Sequence, residues 1–178
     1  AMFGAFSVFW TTISFVLTSA PFHYSQWQVG LFALAGAGGA LVAPFAGRWA
    51  DRGLVRPMTA AAFVTAALAF VIAGLGRHSI IALGAAAVLL DMAAQTTLVL
   101  GQQVVYQLDG QARARLNSAF MATFFVGGSS GWLLTKYCPE TGPRHPEMMW
   151  FIIGCMALVT PVGAFVFRKY IQVHEDGR

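Results

Sequence analysis

Six apolar runs, each 18 residues or longer, occupy most of the chain: about 2–20, 29–46, 57–76, 79–106, 116–135 and 149–167. A bilayer core of about 30 Å needs roughly 20 residues of helix at about 1.5 Å per residue. Lipid offers backbone N–H and C=O groups no partner, so a chain that crosses in single apolar runs crosses as α-helices. The runs therefore predict an all-α transmembrane protein: a six-helix bundle over residues 1–170, with a polar tail at 171–178. Composition agrees. Hydrophobic residues make up 57% of the chain and charged residues 10%, against about 25% charged in an ordinary soluble domain. The chain opens Ala1-Met2 already inside an apolar run, as a piece cut from a longer protein would.

The loops give an orientation. With the 47–56 loop placed inside, the inner loops and tail hold 8 basic residues: Arg48, Arg52, Arg56, Arg113, Arg115, Arg168, Lys169 and Arg178. The outer loops hold 3, Arg77, Lys136 and Arg144. By the positive-inside rule both termini are cytoplasmic. The bases alternate with apolar spans and form no continuous basic face, so the pI near 9.5 points to membrane lipid and not to nucleic acid. Tyr24, Trp27, Trp49, Tyr137, Trp150 and Tyr170 stand near span ends, where aromatic belts form.

The loop between the second and third runs reads Gly47-Arg48-Trp49-Ala50-Asp51-Arg52-Gly53-Leu54-Val55-Arg56. Charge this dense between two uncharged runs is a membrane-surface loop. Its order resembles the cytoplasmic signature loop of the major facilitator superfamily of transporters: Gly, three residues, Asp-Arg, one residue, Gly, then two bases. Gly47, Asp51, Arg52 and Arg56 fall in register. Leu54 stands at the second Gly of the pattern, with Gly53 one place early, and Val55 replaces a base. Gly53 can take positive φ in a tight turn at no steric cost. The resemblance implies that these four residues form a latch between two halves of a carrier. It also implies that the six spans divide into two inverted three-helix repeats, although no sequence repeat is evident.

Further along, the fourth run has no Arg and the fifth no Pro, features that the first half of drug-exporting members carries. Leu90-Asp91, Gln95, Gln102 and Gln103, then Ala112-Arg113-Ala114-Arg115-Leu116-Asn117 and Phe125-Val126-Gly127-Gly128, look like spans ten and eleven of bacterial exporter-like members. The chain is identified on this resemblance as the C-terminal six-helix half of such a transporter. It implies a multi-pass protein of the bacterial inner membrane. Its partners would be lipid, the N-terminal half of the same polypeptide, a small-molecule substrate and protons.

Within the spans, Asp91 is the one ionisable carboxylate. Gln95 lies one turn on, and Gln102 and Tyr106 fall on the same side of a helix at +11 and +15. Such a polar stripe faces the bundle interior or a water path, and a carboxyl able to exist in two protonation states is what proton coupling needs. The first run carries Ser7, Thr11, Ser14 and Thr18 on one face, with Trp10 and Phe15 beside them. This face reads either as a cavity wall, Trp10, Thr11, Ser14 and Phe15 contributing, or as hydroxyls bonded back to their own helix. Ala35, Gly39, Ala43 and Gly47, four apart, predict a small-residue ridge for close helix packing. The patch at Gly127, Gly128, Ser129, Ser130 and Gly131 predicts a second close crossing, and Asn117 a helix cap.

Other chemistries lack their residues. The 4 histidines, His23, His78, His145 and His174, lie in loops or the tail and none is three or four from another, so no metal site is expected. The 2 cysteines, Cys138 and Cys155, form no disulfide framework or Cys-x-x-Cys pair. There is no phosphate-binding Gly-Lys-Ser/Thr loop, Gly-x-Ser-x-Gly elbow or His-Glu-x-x-His pair, so neither ATP-driven transport nor a membrane hydrolase is expected, and no cofactor. The expectation is a secondary transporter, first an exporter of amphipathic compounds coupled to protons. Proton-coupled uptake of a sugar or organic acid stands as the alternative, and a six-span scaffold that transports nothing as a third reading.

Overall fold

The computed structural model describes residues 2–108 and 113–126, with Lys136, Glu147, Met148, Trp150, Phe151 and Cys155. Among these residues every regular element is helical. Helix α1 spans Met2–Thr18, α2 Gln26–Ala37 and α3 Ala43–Asp51, with a 3₁₀ segment, Gly38–Val42, joining the last two. Helix α4 spans Val55–Leu75, α5 Ile80–Leu108 and α6 Arg113–Val126. Among the described residues, three helical stretches are long and apolar enough to cross a membrane: Gln26–Asp51, Val55–Leu75 and Ile80–Gln107; α1 is apolar but shorter. The fold is thus all-α and membrane-embedded. Of the expected sixth span only Trp150, Phe151 and Cys155 are described. Gly127–Gly131, the outer loop with Cys138, Arg144 and His145, Tyr137, Tyr170 and the 171–178 tail lie outside the described residues.

Local chemistry sets the ends. Helix α2 starts three residues before the apolar run because Ser25 and Gln28 form a capping box. The Ser25 N–H donates to Gln28 Oε1 at 2.8 Å and the Gln28 N–H donates to Ser25 Oγ at 3.5 Å. Ser-x-x-Gln before an apolar run is a start signal legible in the sequence. Pro57 sits in the first turn of α4, where its missing N–H would have had no helical partner. Asn117 does not cap its helix: α6 begins at Arg113, which places Asn117 and Ser118 in its second turn, and the Ser118 hydroxyl donates to the Ala114 carbonyl at 2.9 Å.

Helix α5 is the axis of the bundle, touching every other described helix and the 3₁₀ segment. Its longest seam runs along α4, where Ala62, Ala66, Ala69 and Ala73 are buried with Leu83, Ala86, Ala87, Leu90 and Ala93 of α5. Alanines bring the two backbones close, which is how helices gain contact where lipid supplies little hydrophobic drive. Helix α1 buries Phe9, Ile13 and Leu17 in the same core. Trp150 is wholly buried there too, its ring 5.9 Å from that of Phe9, so it belongs to the core and not to an interfacial belt. Trp27, 73% exposed at the start of α2, is placed as a belt residue would be.

The small-residue ridge is real but displaced. The buried face of the second span runs Gly36, Gly39, Val42, Ala46, Ala50, while Ala35, Ala43 and Gly47 are only half-buried beside it. A strict four-residue step misses this because the 3₁₀ segment winds at about three residues per turn. Residues 36, 39 and 42 therefore align, and the four-residue step resumes in α3.

Candidate functional site

The carboxyl at the middle of α5 is held from a different helix. Trp10 on α1 donates its indole Nε1–H to Asp91 Oδ1 at 3.0 Å, bridging residues 81 apart in sequence. Both side chains are half-buried. The Trp10 ring is itself fixed by aromatic neighbours: Phe9 meets it edge-on at 5.8 Å, Phe32 of α2 lies at 6.3 Å, and Phe6 at 6.4 Å.

Helix α2 and the 3₁₀ segment close over this pair, and they can do so only through glycine. A Cβ built on Gly36 would land on Asp91 Oδ2 and on the Trp10 ring. One built on Gly39 would strike Asp91 Cβ and lie 2.7 Å from the Met92 backbone nitrogen. Contacts below about 3 Å have no counterpart among real side chains, so at Gly39, where the atoms met include the α5 backbone, nothing larger than hydrogen fits unless a backbone moves, and at Gly36 the Asp91 and Trp10 side chains would have to shift. Three elements, α1, α2 with its 3₁₀ extension and α5, thus converge on one carboxylate.

The expected polar stripe of α5 is only partly gathered here. Gln95 is half-buried one turn on, but the hydrogen-bond partner of Asp91 is Trp10 and not Gln95. Gln102 is half-buried and Tyr106 is 44% exposed; at 1.5 Å per residue they stand about 17 and 23 Å along the helix from Asp91. On α1 the hydroxyls bond to their own helix. Thr11 donates to the Ser7 carbonyl at 2.7 Å, Ser14 to Trp10 at 3.4 Å and Thr18 to Ser14 at 2.9 Å. Of the four α1 candidates, Trp10 alone reaches Asp91; Thr11 is exposed, and Ser14 and Phe15 are half-buried. Gly36 and Phe32, which complete the junction, were not evident from sequence. The small-residue spacing points to the right face one residue out of phase.

The α3–α4 turn is a separate construction. The Leu54 N–H bonds back to the Trp49 carbonyl and the Gly53 N–H to the Ala50 carbonyl, both at 2.9 Å. These are the two bonds of a Schellman ending, with the left-handed residue at Gly53, φ +72°. The early glycine is therefore the residue that the turn requires, and Leu54 follows it in the position where such endings carry an apolar side chain. Asp51, Arg52 and Arg56 are exposed. Arg48 lies over the Phe45 ring at 5.6 Å. Gly47 is not a close-approach position: a Cβ there would meet nothing within 4 Å among the described residues.

Comparison with known proteins decides the family. The sequence model described as Major Facilitator Superfamily matches residues 1–177. The chain belongs to the major facilitator superfamily. Members of this family are membrane transporters and not enzymes. The chain is 37% identical over 140 residues to the "Uncharacterized transporter YgaY" of Escherichia coli O157:H7, covering 79% of this chain and 36% of that protein. It is 33% identical over 129 residues to the "Probable transporter SCO4007" of Streptomyces coelicolor, covering 72% of this chain and 30% of that protein. The chain thus spans about a third of the length of the curated relatives it matches. No solved structure matches it.

Proposed function

We propose that this superfamily member is the C-terminal six-span half of a secondary transporter that exports small amphipathic molecules in exchange for protons. It works in the bacterial inner membrane with both termini in the cytoplasm, rocking against an N-terminal half of the same polypeptide. Asp91 is the proton site, Trp10 its partner across α1, and Gln95, Gln102 and Tyr106 continue the path along α5. Gly47, Asp51, Arg52 and Arg56 serve as the cytoplasmic latch. Thr11, Ser14 and Phe15 stand beside Trp10 on the wall of the cavity.

The observation that carries this reading is the Trp10–Asp91 hydrogen bond. An ionisable residue inside a membrane bundle is costly, and where one is kept with a dedicated partner it marks an ion or substrate pathway. Aromatic rings around the carboxyl suit an amphipathic substrate better than a sugar, which needs more hydrogen-bonding groups than this junction offers.

The test uses the full-length protein in proteoliposomes with an imposed pH gradient. Asp91→Asn keeps shape and removes the titratable proton. Its flux is expected to lose all dependence on the gradient, with membrane insertion unchanged. A mutant that remains driven by the gradient as the wild type is would overturn the proton role, and flux in the direction of the proton gradient would favour uptake over export.

A further inference from the structure

The distances around Asp91 carry a claim about Trp10, Gly36 and Gly39 that goes beyond the transporter reading and rests on its assignment of Asp91 as the proton site. We propose that Trp10 is a positioning residue whose bond to Asp91 is a proton-switched tie between α1 and α5, made possible by the glycine gap in α2 and the 3₁₀ segment.

The tie is selective for one charge state. An indole N–H is a donor only, so it bonds best to an ionised carboxylate, and a hydrogen bond to a charged acceptor is roughly twice as strong as a neutral one. When Asp91 takes up a proton, the N–H stays on Trp10, the added proton resides on the carboxyl, and the contact becomes an ordinary neutral hydrogen bond. The link between the first and fifth helices therefore strengthens and weakens with a single proton.

Among the described residues, no other charged group is shown meeting Asp91. Among them, the hydrogen bond to Asp91 comes from α1 and the close glycine approaches from α2 and the 3₁₀ segment, and none of these three elements contains a titratable residue. The remaining elements packed on α5 place theirs near the ends of their sequences: Arg48 and Asp51 on α3, Arg56 on α4, Arg113 and Arg115 on α6. The other titratable side chain of α5 is Tyr106, about 23 Å along the helix.

The glycines make the tie sensitive to position. Gly36 adjoins Asp91 Oδ2 and the Trp10 ring together, and Gly39 adjoins Asp91 Cβ and the Met92 backbone. With no side chain between α2 and the pair, a small displacement of α5 against α2 changes the space around both ends of the hydrogen bond. The aromatic contacts of Phe9 and Phe32 keep the indole from simply following.

The experiment is solution or solid-state NMR of the full-length transporter in lipid nanodiscs, with nitrogen-15 in the tryptophan indoles. The Trp10 signal is assigned by its loss in Trp10→Phe, or in Trp10→Tyr if the first variant does not fold. Its N–H resonance is expected to move between two end positions as pH is varied. In Asp91→Asn it should stay fixed, and in Gly36→Ala it should shift at all pH values and lose its response. A Trp10 resonance that does not move with pH in the wild type, or that moves equally in Asp91→Asn, overturns the tie. The two readings separate cleanly. A fixed resonance with gradient-dependent flux that Asp91→Asn abolishes rejects the tie and keeps the proton site. A moving resonance with flux unaffected by Asp91→Asn establishes the tie and rejects its role in transport.

Discussion

The Asp91 junction and the α3–α4 turn use the same three ingredients, an aspartate, glycines and a tryptophan, to opposite ends. At the junction the glycines matter for what they lack. Gly36 and Gly39 sit in ordinary helical conformation, and their missing Cβ is what lets α2 meet Asp91. At the turn the glycine matters for its backbone. Gly53 has open space around it but a φ of +72°. Asp91 is half-buried and bonded to an indole from another helix, while Asp51 is exposed to solvent at the end of α3. Environment, not residue type, decides the work: lipid-depth packing makes space scarce, and the water-facing turn makes handedness the constraint.

The comparison can be broken by substitution. The largest effect is expected inside. Gly39→Ala should lower stability by about 1–3 kcal/mol, the usual cost of overpacking, read as a lower unfolding midpoint in detergent, and Gly39→Asn should cost at least as much. At the turn, Gly53→Ala should cost about 1–2 kcal/mol for a left-handed residue with a Cβ, but Gly53→Asn should recover much of it, because Asn tolerates that conformation. If Asn proved the milder substitution at position 39, or no better than Ala at 53, the distinction between space and handedness would fail.

Smaller effects test the water-facing rim further. Ser25→Ala removes the α2 capping box and should cost about 1 kcal/mol, visible as faster amide exchange in the first turn of α2. Arg77 and Glu147 are 3.3 Å apart with side chains 46% and 30% exposed. A double-mutant cycle on that pair should return less than about 1 kcal/mol, because solvent screens it. A larger coupling would mean that this pair, like the Asp91 junction, is shielded in the membrane-embedded protein.

Much of the architecture was legible in the residues. Apolar runs long enough to span a bilayer leave lipid-exposed backbone no option but helix, so the helical class followed from length and hydropathy alone. The loop at 47–56 pointed to the superfamily, and Gly53 to a tight left-handed turn. Asp91 stood out because an acid in an apolar run is expensive wherever it goes. Counting apolar residues alone misses the helix starts at Gln26 and Arg113. The first follows from a capping pair that apolar counting ignores, and the second from a polar first turn that belongs to the helix but not to the membrane-length run.

What the sequence could not supply was phase and partnership. A four-residue step placed the packing ridge on Ala35, Gly39, Ala43 and Gly47; the 3₁₀ segment turned it onto Gly36, Gly39 and Val42. Trp150 read as an interfacial aromatic and proved to be core. Above all, nothing along the chain joins Trp10 to Asp91. Periodicity reports which face of one helix is polar or small, because those neighbours are fixed by the helix itself. The meeting of two helices 81 residues apart is fixed by how every side chain between them packs, and only the tertiary structure holds that information.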